Sequence, residues 1–238
     1  MNIFLVKNLY DYEKVISPPN NLPDNFISYY ITDNEKNAIT AKNLGWDYVS
    51  ITDKFLDVTD KFSRRKSIAF INSFPHMFIN NDIKYDLIFV CDSNIITLWS
   101  NFSDFVSKCE KNKVLYLTNG YYDLGRNTIT SEIENSNQHR WSYNYVEIKH
   151  NGQLYVDHLN DLKIDLNLLG VCSAKYIGWN PSHENYELLT NKLYEEYTKH
   201  LQGNIILTYL SGIYKDDIFV YYSNNYKGGS LNNHNYSS

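Results

Sequence analysis

The sequence predicts an α/β fold: one domain built on a mostly parallel central sheet with helices on its faces. Three observations lead there. Short β-rich runs alternate with longer helical stretches along the chain. "DLIFV" (86–90) is a continuous apolar run, the pattern of a strand buried on both faces of a parallel sheet. No Pro-rich or Ser-rich linker and no internal repeat divides the 238 residues, a length that buries one sizeable core or at most two small ones. The 43% hydrophobic and 21% charged composition is that of a globular chain.

Taken in order, "NIFLVKNL" (2–9) and "FISYYITDN" (26–34) read as strands, the second rich in β-branched and aromatic residues and ended by Asp33 and Asn34. "EKNAITAKNLG" (35–45) reads as a short helix closed by Gly45, and "DYVSIT" (47–52) as the third strand. From Ser63 to Phe78, Ile68, Ile71 and Phe74 fall at helical spacing with an interruption at Pro75. After "DLIFV", the segments "VLYLTN" (114–119), "LLGVCSAKYIGW" (168–179) and "IFVYYS" (218–223) are further strands. Residues 182–201 form the strongest helix, with Ser182 placed to cap it. Residues 1–223 are expected to form the domain and the polar residues 224–238 a loose tail.

A formal charge of −5 carries no basic nucleic-acid footprint. The apolar run in "MNIFLV" is too short for a signal core or a membrane span, so no span and a cytoplasmic location are expected, with soluble partners. Cys91, Cys109 and Cys172 lack metal or disulfide spacing and read as reduced core thiols.

Within "KYDLIFVCDSNIITLWS" (84–100), the apolar run stops at Asp92, Ser93 and Asn94 and then resumes. All three are turn residues, and a turn is one reading. The other follows from the fold. Ligands of open α/β sheets bind beyond the carboxyl ends of the strands, and Asp92 and Asn94, two residues apart, can face one hard cation together with phosphate oxygens.

The surrounding segments resemble the GT-A class of nucleotide-sugar glycosyltransferases. "YDLIFVCDSN" is similar to that class's Asp-x-Asp strand, "YYITDN" to its early strand near the nucleoside, and "FSRRKSIAFINSFP" to the helix whose basic residue faces the donor. "LLGVCSAKYIGWN" and the following "YELLTNKLYEEYTKHLQGNIILTYL" look like the strand, long helix and second helix start of retaining members. The order of these segments most resembles the glycosyltransferase domains of large algal viruses and a related plant and bacterial group. The resemblance implies a single GT-A, Rossmann-like domain, a UDP-linked sugar donor, a glycan acceptor and hexosyl or deoxyhexosyl transfer. It also implies Mn²⁺ or Mg²⁺ held by Asp92 and Asn94, with Ser93 beside the donor, and would place a viral protein in the host cytoplasm. The alternatives are a sugar nucleotidyltransferase, disfavoured by the absence of glycine in "VKNLYDYEK", and a catalytically silent glycan- or nucleotide-binding module.

Two departures from that pattern matter. Asn94 stands where the class carries a second Asp, which weakens metal affinity. The triplet at the later helix start is Gln202, Gly203 and Asn204, none of which can act as a carboxylate base, so retention is favoured, with Gln202, Asn204 and Asp92 as the catalytic candidates. Lys7 and Asn8, and Thr32 and Asp33, end the first two strands where a donor would lie; Asp33 serves equally as a helix cap. Arg64, Arg65 and Lys66 are either a solvated helix start or contacts to the donor phosphates, Arg65 first and Lys66 next. "QHRWSYNY" (138–145) is a sugar platform or an amphipathic surface, His234 a third metal ligand or part of a mobile tail, and Glu195 and Glu196 an exposed mid-helix pair.

Overall fold

The computed structural model describes residues 1–9, 15–18, 22–52, 61–92, 99–109, 112–119, 127–139, 145–167, 169–199 and 202–221; of residues 61–65, 92, 99–101, 137–139, 145–150 and 175 it describes the backbone. Among the described residues seven strands form one sheet: β1 (Asn2–Asn8), β2 (Phe26–Thr32), β3 (Tyr48–Ile51), β4 (Leu87–Asp92), β5 (Leu115–Asn119), β6 (Cys172–Trp179) and β7 (Ile218–Tyr221), in the order β3-β2-β1-β4-β6-β5-β7. All run parallel except β6, which is antiparallel to both β4 and β5. The helices are α1 (Glu35–Asn43), α2 (Lys61–Ser73), α3 (Trp99–Lys108), α4 (Ile129–His139), α5 (Tyr145–Asp161), α6 (Tyr186–Lys199) and α7 (Gly203–Ile213), with a 3-10 turn at Pro75–Phe78.

Every residue of β1 is buried, as a central parallel strand requires. Alternation sends Phe4 and Val6 to one face, where they pack with Tyr30, Trp46, Phe89, Phe102 and Tyr176. Ile3 and Leu5 go to the other, against Ile88, Val90 and Ile71 of α2. On β5 and β6, Leu115, Leu117, Ile177 and Trp179 join a third cluster with α4, α5, α6 and α7. The Trp179 indole N–H donates to the Asn72 carbonyl at 2.8 Å, tying β6 to α2. Gly178 lies so close to its neighbours that a Cβ would fall 2.8 Å from the Phe89 ring, which is why β6 has no side chain there.

The expected strands and the break at Pro75 are all present, and Gly45, at φ +93°, closes α1. The cap reading of Asp33, one of its two, is excluded, and the Ser182 cap is not formed. Asn34, not Asp33, caps α1: its Oδ1 accepts from the N–H groups of Lys36 at 2.8 Å and Asn37 at 3.1 Å. The long helix begins at Tyr186, and Ser182 lies in the preceding turn, its own N–H donating to Asn180 Oδ1. Cys91, Cys109 and Cys172 form no disulfide, and burial pushes the Cys172 thiol up to about 11. The tail, residues 224–238, lies outside the described residues.

Candidate functional site

The chain steps outward from β1 to β2 and β3, then returns with β4 on the other side of β1. The carboxyl ends of β1 and β4 therefore flank a topological switch point, the crevice where open α/β sheets hold ligands. Polar residues gather at that edge. Lys7 and Asn8 end β1, in register with Ile31 and Thr32 of β2, and Lys7 is also in register with Asp92 of β4. Asn8 and Thr32 are fully buried, and Lys7 is 3% exposed, an uncommon setting for an ammonium. Lys7 lies on the strand face of Ile3 and Leu5, the face covered by α2, and the half-buried Lys66 lies on α2 itself. Thr32 Oγ1 accepts from the Asn34 N–H at 3.2 Å, shaping the turn that holds the half-buried Asp33.

Farther along the same edge β6 is irregular. Leu117 pairs with Ile177, yet Thr118 pairs with Ser173, so residues 174–176 of β6 leave the β5 ladder there. The Ala174 N–H donates instead to Asn204 Oδ1 at 3.0 Å, joining the start of α7 to this bulge. The Asn204 amide Nδ2 donates to Glu132 Oε1 at 3.1 Å, and Gln202 Nε2 donates to the same oxygen at 3.3 Å and to Ser136 Oγ at 3.0 Å. Glu132 and Ser136 are one turn apart on α4, and Glu132 has no exposed surface. A buried carboxylate thus lies against the first residues of α7, where unpaired N–H groups and the helix dipole favour negative charge. A Cβ at Gly203 would fall 2.6 Å from the Tyr197 hydroxyl, the tip of a side chain that would have to shift.

Lys7, Asn8, Thr32, Asp33 and the end of β4 at Asp92 are brought together at the switch point, and Gln202 and Asn204 stand at the start of α7. The Arg64, Arg65 and Asp92 side chains, Ser93, Asn94, His234 and residues 140–144 of the "QHRWSYNY" stretch lie outside the described residues. Among the described residues no cluster of three His, Cys, Asp or Glu side chains forms a metal cage, and no helix is long and apolar enough to cross a membrane. Glu132 escaped the sequence reading, although Ile129, Glu132, Ile133 and Ser136 carry the spacing of one buried helix face.

No family model matches the chain, and no curated protein matches it in sequence. Solved structures do match. Mouse xyloside xylosyltransferase 1 in its apo form superposes with a TM-score of 0.54 at 10% identity, over 93% of this chain and 85% of that one. The fold is GT-A-like. The apo WbbM bifunctional glycosyltransferase gives a TM-score of 0.50 at 10% identity over 92% of this chain, which spans 38% of that longer protein. At this identity the likeness is one of fold.

Proposed function

We propose that the protein is a nucleotide-sugar-dependent glycosyltransferase that moves a sugar from a nucleoside diphosphate donor, UDP-linked, to a glycan acceptor. The observation that carries this reading is the gathering of Lys7, Asn8, Thr32 and the β4 end at Asp92 around the switch point. A GT-A-like fold shared with two proteins named as glycosyltransferases supports it.

In this reading Asn8, Thr32 and Asp33 contact the nucleoside, while Lys7, Arg65, Lys66 and Ser93 contact the diphosphate. Cations there offset the charge of the leaving group as its bond to the anomeric carbon breaks. Asp92, Asn94 and His234 would hold Mn²⁺ or Mg²⁺; two oxygen ligands and an imidazole suit such an ion in kind, and it would supply further charge neutralisation at the diphosphate. Gly203 leaves no side chain to act as a base. Retention then proceeds with the acceptor oxygen bonding to the anomeric carbon on the face the diphosphate leaves. The acceptor proton passes to a diphosphate oxygen.

UDP-sugar hydrolysis across a donor panel, with Mn²⁺ present, tests the activity, and NMR of the first-formed glycoside tests the stereochemistry. Turnover with the donor's anomeric configuration kept is expected. Saturable binding without turnover would make the protein a binding module, and an inverted product would require a base elsewhere. Arg65→Ala should weaken UDP binding by about 1.5–3 kcal/mol, the range for a hydrogen bond to a charged group, and leave the fold intact. Unchanged affinity by calorimetry would remove Arg65 from the site.

A further inference from the structure

We infer that Glu132 is a positioning residue of the transfer site, supplying from α4 the carboxylate that the Gln202-Gly203-Asn204 triplet lacks and fixing the orientation of both amides. The inference rests on the glycosyltransferase reading above. A carboxylate with no exposed surface is costly unless it is well hydrogen-bonded, and its Oε1 accepts here from the side-chain amides of Gln202 and Asn204 at the head of α7.

The carboxylate does what a neutral amide cannot. It only accepts, so both Gln202 and Asn204 must turn their NH₂ ends toward Oε1. The Asn204 side-chain oxygen is thereby directed to the Ala174 N–H in the β6 bulge. The two neighbouring strands connect this network to the switch point: Tyr176, two residues beyond Ala174, pairs with Cys91, which immediately precedes Asp92. Glu132 thus acts through Gln202 and Asn204 on the edge where the sugar would react.

Two measurements on Glu132→Gln test this, each with its own reading. The side-chain NH₂ signals of Gln202 and Asn204 in the ligand-free protein report amide orientation, and UDP-sugar hydrolysis with UDP calorimetry reports function. We expect both amide signals to move and UDP affinity to stay within about threefold of wild type. We expect kcat to fall about 100-fold with little change in KM, the size of effect that a small misplacement of reacting groups produces. Glu132→Asp, which keeps the acceptor-only oxygens, should recover part of the rate, and the same readings on it decide the matter if Glu132→Gln does not fold. Unmoved amide signals would overturn the inference. So would a kcat within threefold of wild type, or a loss of rate matched by equal losses of UDP affinity and thermal stability. If wild type neither binds UDP nor turns over any donor, the glycosyltransferase reading fails by itself. The amide signals alone then decide whether Glu132 orients the two side chains.

Discussion

Glu196 lies on α6 with its carboxylate turned inward, where the Tyr155 hydroxyl donates to Oε2 at 2.7 Å and Lys192 Nζ stands 2.9 Å from Oε1. The expectation of an exposed Glu195–Glu196 pair holds for Glu195 alone; Glu196 is buried. Burial works to raise the Glu196 pKa, but the Tyr155 and Lys192 hydrogen bonds and the Lys192 and Lys199 charges together hold it below the usual carboxylate range. The sign of the linkage follows. A carboxyl group with a depressed folded pKa stabilises fully above its unfolded value, about 4.3, and that contribution is lost as the pH falls through the folded value. Glu196→Ala should cost about 1–3 kcal/mol at pH 7, since it also removes the carboxylate to which the buried Tyr155 hydroxyl donates. Urea denaturation at pH 7 and pH 3 checks this: the gap between wild type and variant should be largest at pH 7 and narrow at pH 3. A gap that is equal at both would remove Glu196 from the account of acid stability.

At the scale of elements, α1 illustrates how a local rule fails by one residue. Asp33 and Asn34 are both good caps, and the choice is made by the Thr32 hydroxyl accepting from the Asn34 N–H, in the turn that leaves Asn34 Oδ1 over the first turn of the helix. Asn34→Ala should therefore cost about 1 kcal/mol in thermal or urea unfolding, whereas Asp33→Ala should cost well under that; equal losses would contradict the cap assignment. The strands were legible because continuous or alternating apolar runs bounded by turn residues have few other uses. The helices α3, α4 and α5 were not recognised. The buried stripe of α4 includes Glu132 and Ser136, and that of α5 includes Gly152 and Tyr155, residues that read as surface or breaker when the partner is unseen. Gly152 is required by its neighbour, since a Cβ there would meet Ile133 of α4 at 2.9 Å.

For the whole molecule, the sequence marked strand ends as the place for a ligand but could not order the strands. The order is what makes Lys7 and Asp92 neighbours, and the antiparallel β6 between β4 and β5 is what brings the head of α7 to the same edge. Contacts between residues about 70 positions apart, such as Glu132 with Gln202 and Asn204, have no local signature. The proposed function requires this edge to bind a nucleoside diphosphate through Asp92 and its neighbours. Calorimetric titration of UDP into wild type and Asp92→Asn, each with and without Mn²⁺, tests it most directly. Removing the carboxylate takes away the strongest ligand for a hard cation while leaving a side chain equally suited to a turn. Mn²⁺ should tighten UDP binding to wild type, and Asp92→Asn should bind UDP more weakly, with no dependence on the ion. Folded wild type that binds no UDP with or without Mn²⁺, or an Asp92→Asn variant that binds as wild type does under both conditions, would contradict this reading.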